Sequence, residues 1–357
     1  MDYRITVPLG DRSYDVVVGP GVLDGLDGLV SKAAGDFEKA AVIADATVDG
    51  LYGDRVEKML SSTGTVQRFP VPAGEAAKTW ETVGALLEKL ASGRFHRHDL
   101  VVSLGGGAAG DLAGFVAACF LRGVRLVHIP TTLLAQVDAS IGGKTGVNLQ
   151  AGKNLAGAFY QPSLVVSDPT VLESLPEREF RSGMAEVVKY GLCYEPGMLD
   201  AVGGEDLRGS LEALTGLVAS CAAIKARVIS GDETDRGARA ILNYGHTFGH
   251  ALEAFGGYET WLHGEAISVG MVFAANVARH MGLLDDASVA RHVEVLGGCG
   301  LPVTASFDPS EMPRFWEVDK KHGRALNWVL LERLARPVIR SDVPPEAIEA
   351  ATKAVAA

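Results

Sequence analysis

The stretch VVSLGGGAAGD (101–111) decides the fold. A short apolar run meets three glycines, and an Ala-rich helical pattern follows. That order reads as strand, tight turn, helix. Glycines at such a turn let backbone N–H groups approach an anion, and the helix N-terminus adds a favourable field. Gly105, Gly106, Gly107 and Gly110 are therefore candidates for a pyrophosphate site, and Asp111 for a hydrogen bond to ribose or to the nicotinamide side. The word is not the usual GxGxxG with an acidic residue about twenty positions on. Alone, a plain tight turn would fit it equally well.

Working outward, the first half alternates similar runs with helical segments. ITVPL and YDVVVG flank Gly10-Asp11-Arg12 as a hairpin. KAAVIAD (39–45), TVQRFPV (65–71), DLVVSL (99–104), RLVHIP (125–130) and SLVVSD (163–168) read as buried parallel strands joined by crossover helices. From about Pro176 to Gly300 the pattern is mostly helical, with one late strand pair expected within 326–339. The expected architecture is an α/β Rossmann-like nucleotide domain, 1–175, followed by a mainly α-helical domain, 176–357. A ligand cleft is expected between them.

Bulk properties narrow the function. With 357 residues, two domains are the prior. Net charge is −11 with no long Lys/Arg run, which disfavours nucleic acid and anionic membrane as partners. The apolar runs read as too short to span a bilayer, and MDYRITVPLG lacks the pattern of a secretory signal. Cys119, Cys193, Cys221 and Cys299 are scattered without CxxC spacing, which fits a reduced cytoplasm.

Three words in the second half carry chemistry: GMAEVVKYG (183–191), LNYGHTFGH (242–250) and WLHGEA (261–266). Glu186, His246 and His263 supply two imidazoles and a carboxylate, the donor set of a catalytic divalent metal with a position left open. His250 lies four residues from His246, on the same face of a helix, and suits proton transfer. Any one of these histidines alone reads more readily as an ordinary helix-surface or core-facing residue. A long Gly- and Thr-rich stretch, 130–161, reads as a functional loop. Lys144 and Lys153 within it, with Arg122, Lys189, Lys225, Arg239, Lys320 and Lys321, form a cationic set suited to a polyanionic small molecule. Taken singly, most of them read as solvated surface charges. Asp45, Glu75 and Lys78 are candidates for the adenosine end of a nucleotide.

At these words the chain resembles the 3-dehydroquinate synthase family of sugar-phosphate cyclases. The resemblance runs over nearly the whole length. It is densest in GGGAAGDLAGF, RGVRLVHIPTTLLAQVDASIGGKTGVN, AGKNLAGAFYQP, the three metal words and DKK (319–321). It implies NAD, a divalent metal (zinc foremost, cobalt as the alternative), a cytoplasmic homodimer, and the sugar-acid phosphate 3-deoxy-D-arabino-heptulosonate 7-phosphate as substrate. It assigns Glu186, His246 and His263 to the metal. NAD contacts fall on Asp45, Glu75, Lys78, Gly106, Gly107, Asp111, Thr131, Thr132, Asp138, Lys144, Lys153 and Ser174. The substrate pocket falls on Arg122, Asp138, Lys144, Asn154, Lys189, Lys225, Arg239, Asn243, His250 and Lys320 or Lys321. Ser174 stands where the family usually has threonine, and Ala108 and Ala109 replace larger aliphatic residues.

The implied reaction oxidises a hydroxyl transiently with NAD⁺, eliminates phosphate, returns the hydride and closes a carbocycle by aldol addition. In that scheme Lys144, Asn154, Lys189 and a DKK lysine take the phosphate, Lys225 and Arg239 the carboxylate, and His250 relays a proton. Rival readings are an amino-dehydroquinate, 2-epi-5-epi-valiolone or 2-deoxy-scyllo-inosose synthase, a metal-dependent alcohol or polyol dehydrogenase, and a non-catalytic NAD- or metal-binding protein.

Overall fold

A computed structural model describes residues 1–204, 207–235, 237–320 and 327–357, with the backbone alone at 203, 204 and 317–320. The chain forms two compact units. One is Met1–Leu175 with Arg208–Thr234; the other is Pro176–Leu207 with Asp235–Ala357.

The first unit is built on β1 (Tyr3–Val7), β2 (Tyr14–Val18), β3 (Lys39–Asp45), β4 (Thr65–Val71), β5 (Leu100–Gly105), β6 (Arg125–Pro130) and β9 (Leu164–Ser167). Between β6 and β9 the chain adds a separate hairpin, β7 (Lys144–Leu149) and β8 (Gly152–Phe159). The sheet order is β1-β2-β9-β6-β5-β3-β4. β1 and β2 pair antiparallel, and every other pairing in the sheet is parallel.

Alternation explains why these runs are apolar throughout. Ala40, Val42, Ala44, Leu100, Val102 and Leu104 pack on one face with Leu26, Val30, Val56 and Leu60. Ala41, Ile43 and Val101 pack on the other face with Val83, Leu86, Leu90, Leu112 and Val116. A strand covered by helices on both sides has no solvated face to make polar.

The sheet also explains where the glycine turn sits. β4 lies on one side of β3 and β5 on the other, so the strand order reverses between β3 and β5. At such a point the carboxyl ends of neighbouring strands open a crevice. Asp45 ends β3 and Gly105 ends β5; a Cβ on Gly105 would stand 3.2 Å from that of Asp45.

Three features differ from the sequence reading. Residues 130–161 are largely regular: a π-helical turn, Ala135–Ala139, and the β7–β8 hairpin. Their glycines serve close backbone approach, since a Cβ on Gly157 would lie 2.1 Å from the Thr145 carbonyl oxygen. Residues 208–234, counted with the helical half, belong to the first unit, where the helix Leu211–Gly231 packs against β1 and β2. That helix is long and apolar enough to cross a membrane by length and composition, which the reading of the apolar runs overlooked; 61% of its most apolar window is buried inside the protein.

The second unit is mainly helical and closes with the hairpin β10 (Trp328–Arg333) and β11 (Arg336–Arg340). Its centre is the helix His263–His280, buried along most of its length. It packs against Glu177–Cys193, His246–Phe255, Asp286–Gly298, Pro345–Val355 and β10. Phe248 and Phe273 stack at 4.4 Å, with Trp316 against both rings.

Candidate functional site

In the helical unit, three helices bring the metal words together. Glu186 lies midway along Glu177–Cys193, while His246 and His263 each begin a helix. Nε2 of His246 is 3.5 Å from Glu186 Oε1, and Nε2 of His263 is 3.6 Å from the same oxygen. Ligand atoms from all three lie within 4.8 Å of one another.

The other ring nitrogens are engaged. His246 Nδ1 is 3.1 Å from the Tyr244 carbonyl oxygen, and His263 Nδ1 is 3.4 Å from Glu253 Oε2. Both acceptors fix a proton on Nδ1, which leaves Nε2 facing Glu186 as the nitrogen available to a cation. Metal-binding histidines are oriented this way. The set therefore fits a divalent cation by its donor chemistry.

Burial pushes the His246 pKa well below that of an ordinary imidazole, against the pull of Glu186. Burial also opposes charge on His263, but the hydrogen bonds to Glu186 and Glu253 outweigh it and lift the group to about 9. In the metal-free site, the charge on His263 is shared between Glu186 and Glu253, and Lys189 supplies the rest of the balance. A cation would take over that balance.

Lys189 stands one helical turn beyond Glu186. The two are 1% exposed and form a close ion pair. His250, exposed, sits beside the site, its ring 5.4 Å from that of His246. Arg239, 2% exposed, and Asn243 lie in the 3-10 turn Ala238–Asn243 before the histidine helix. Lys320 ends a helix with its side chain outside the described atoms, and Lys321 lies outside the described residues.

In the α/β unit, Gly106 caps the helix Gly107–Cys119 with no side-chain cap. First-turn N–H groups are thereby left for an anion. The turn has no room for side chains: a Cβ on Gly106 would lie 3.0 Å from Thr132 Cγ2, and one on Gly107 3.1 Å from Ala139 Cβ. Thr131 Oγ1 is buried without a hydrogen-bond partner. Uncapped donors and an orphaned hydroxyl fit a bound dinucleotide phosphate.

Lys78, 2% exposed, gathers a polar network. Its Nζ is 2.7 Å from Asp111 Oδ2, 2.6 Å from Asn154 Oδ1 and 3.7 Å from Glu75 Oε1. Burial works against its charge, but Asp111 and Glu75 raise its pKa above the ordinary lysine value. Asn154 thus joins the Lys78 cluster, at a left-handed φ of 56°. Asp45 accepts from Thr47 N and Gly74 N, so it ties two turns together.

Thr132 Oγ1 accepts from Ala135 N. Ser174 accepts from the Tyr52 hydroxyl at 2.8 Å. Lys225, nearly buried, reaches Asp138 Oδ2 at 2.9 Å and the Asp138 carbonyl at 2.7 Å. It therefore belongs to the α/β unit, whereas the histidines that follow it in sequence belong to the helical one. Lys144 and Arg122 are exposed, Arg122 at a φ of 63°, and Lys153 is half-buried at the start of β8.

Four residues of this architecture escaped the sequence reading: Glu253, Tyr244, His292 and Asn148, which donates to Glu75 Oε2 at 2.8 Å and accepts from Asn154 N at 3.0 Å. The Tyr244 hydroxyl is 2.9 Å from His292 Nε2, and His292 Nδ1 is 2.7 Å from the Ser288 carbonyl. That carbonyl only accepts, so Nδ1 carries the proton and Nε2 accepts from tyrosine. The pair anchors the residue whose carbonyl orients His246. Of the four, only Glu253 leaves a trace in sequence, three residues after His250 on one helix face.

Known proteins resemble this chain over nearly its whole length. Residues 68–182 match the family model described as 3-dehydroquinate synthase N-terminal, and residues 183–322 its C-terminal counterpart. A 3-dehydroquinate synthase of Symbiobacterium thermophilum is 45% identical over 95% of this chain and 97% of its own. One of Azotobacter vinelandii is 45% identical over 97% of this chain and 95% of its own. A solved 2-epi-5-epi-valiolone synthase from Streptomyces hygroscopicus, with NAD⁺ and Zn²⁺ bound, superposes with a TM-score of 0.88 at 30% identity, covering 98% of each chain. A 2-deoxy-scyllo-inosose synthase with carbaglucose-6-phosphate, NAD⁺ and Co²⁺ gives a TM-score of 0.87 at 28% identity over 99% of this chain and 100% of that one.

Proposed function

The chain belongs to the 3-dehydroquinate synthase family, and from that premise we propose that Glu186, His246 and His263 hold its catalytic divalent cation while the glycine turn after β5 holds NAD⁺. The activity is conversion of 3-deoxy-D-arabino-heptulosonate 7-phosphate to 3-dehydroquinate and phosphate. The observation that supports the site assignment best is the convergence of two imidazole Nε2 atoms on the buried Glu186 carboxylate.

When bound, the two groups supply a hydride acceptor regenerated in each turnover and a Lewis acid for the hydroxyl to be oxidised. The chain's own residues position and neutralise. Tyr244 and Glu253 hold His246 and His263 in the ligating tautomer. His250 takes the hydroxyl proton on an imidazole nitrogen. Lys189, Lys144, Asn154 and a lysine of DKK fix the phosphate, and Lys225 and Arg239 the carboxylate; Arg122 and Asn243 complete the substrate contacts. Asp138, paired with Lys225, aligns the nicotinamide side. Gly106, Gly107, Asp111, Thr131, Thr132 and Lys153 contact the cofactor, with Asp45, Glu75, Lys78 and Ser174 around its adenosine half. Zinc is the proposed cation. A cytoplasmic homodimer is the proposed assembly, and sedimentation as a monomer at working concentration would overturn it.

The test is incubation with 3-deoxy-D-arabino-heptulosonate 7-phosphate, NAD⁺ and zinc. Phosphate release without net NADH supports the reading, whereas accumulating NADH would indicate a dehydrogenase. His246→Ala is expected to lose bound zinc and phosphate release together. Full zinc content in that variant would remove His246 from the ligand set.

A further inference from the structure

The helix His246–Phe255 presents a second donor set beside the first. His250 and Glu253 are three residues apart, on one helix face, and His263 begins the helix packed against them. One ligand atom from each of the three lies within 4.8 Å of the others. Glu253 is buried, with Oε2 3.4 Å from His263 Nδ1, and the His250 and His263 rings are 6.0 Å apart. His263 thus faces Glu186 with Nε2 and Glu253 with Nδ1. Two imidazoles and a carboxylate again form the preferred donor set of a borderline divalent ion.

We propose that His250, Glu253 and His263 form a second, weaker divalent-cation site whose occupancy silences the enzyme. The site is weaker for two physical reasons. Its third ligand is shared with the Glu186 site, so a second cation meets the repulsion of the first across one imidazole ring. His263 Nδ1 must also release its proton, which leaves for solvent; nothing is oxidised or reduced. Binding takes the lone pair that His250 would use to receive the substrate's proton. The silencing, though not the binding, rests on the proton-relay role proposed above.

The experiment uses the full chain, stripped of metal and titrated with Co²⁺, with bound metal read by equilibrium dialysis and visible absorption. Two equivalents are expected, the second weaker, and turnover should peak at the first equivalent and fall as the second loads. Glu253→Gln keeps an oxygen that accepts from His263 Nδ1 but is a poor ligand. It should retain the first equivalent and weaken the second by about tenfold or more. His250→Gln provides the same binding readout should Glu253→Gln fail to fold. A single equivalent throughout the titration, or a second one unmoved in these variants, would overturn the site. Two equivalents with undiminished turnover would overturn the silencing. Failure to bind even the first would overturn this proposal and the proposed metal role together.

Discussion

At the scale of single residues, the notable pairing is Lys189 with Glu186, both almost wholly buried one helical turn apart. Removing one partner of a buried ion pair leaves an uncompensated charge, at a cost of about 3–5 kcal/mol. A cation in the Glu186, His246 and His263 set would restore compensation. Lys189→Met is therefore expected to melt lower than the unmodified chain when stripped of metal, and to gain more from added zinc. Its phosphate release should still fall, because the ammonium proposed for the substrate is gone. Thermal melting with and without zinc checks this, and equal zinc-induced shifts in both proteins would sink it. The residues of this site were legible because their identities state their chemistry: a Glu and two His beside glycine resemble few other things. Their orienters were not. The carbonyl of Tyr244 belongs to no residue type, and His292 lies 48 residues beyond Tyr244, brought there by packing alone.

At the scale of elements, glycine decides how close the metal-bearing helices come. A Cβ on Gly264 would lie 1.9 Å from the Ser182 carbonyl oxygen, and the Gly264 N–H donates to Ser182 Oγ at 3.0 Å. Ser182 is one turn before Glu186 and Gly264 immediately follows His263, so this contact sets the ligand separation. A Cβ on Gly270 would likewise lie 2.0 Å from the Gly245 carbonyl oxygen, so that glycine does the same for the helix that begins with His246. Gly264→Ala should force the helices apart, costing about 1–3 kcal/mol in stability. It should also lower zinc affinity more than Ala substitution at Gly297, where a Cβ meets nothing within 4 Å. Equal zinc affinity in the two variants would refute the spacing role. Sequence reading noticed glycine beside each ligand without seeing why, since close approach is a property of two elements. The same limit explains the stretch 130–161: its Gly and Thr content suggested a loop, but glycine there relieves crowding between paired strands, as Gly146 and Gly157 do. The central strands β3, β5, β6 and β9 were read well because burial on both faces removes every alternative to an apolar run, whereas β4, expected to be buried, lies at the sheet edge and is mostly half-exposed.

At the scale of the whole molecule, the chain's division followed its composition up to Leu175, and then the helix Leu211–Gly231 returned to the first unit. A helical pattern carries no mark of which core it will join. Each unit nevertheless carries the same liability, a neutral histidine sealed in its interior. In the first, His128 hydrogen-bonds Ser103 at 2.6 Å, and burial lowers its pKa to about 4. In the second, His292 is held by Tyr244 and Ser288, and burial again lowers it to about 4. The unfolded chain takes up these protons near the ordinary imidazole value of about 6.5, whereas the folded chain resists until about pH 4. Above pH 6.5 neither group affects stability. As pH falls from 6.5 towards 4, the unfolded state binds more protons, so stability is lost progressively and the loss levels off below 4. A shift of this size corresponds to roughly 3 kcal/mol for each histidine. Urea unfolding at a series of pH values should show both units weakening over this window. His128→Asn should flatten the decline for the first unit alone. An unchanged slope in that variant would mean that His128 does not carry the effect, and that carboxylates set the acid limit of this unit.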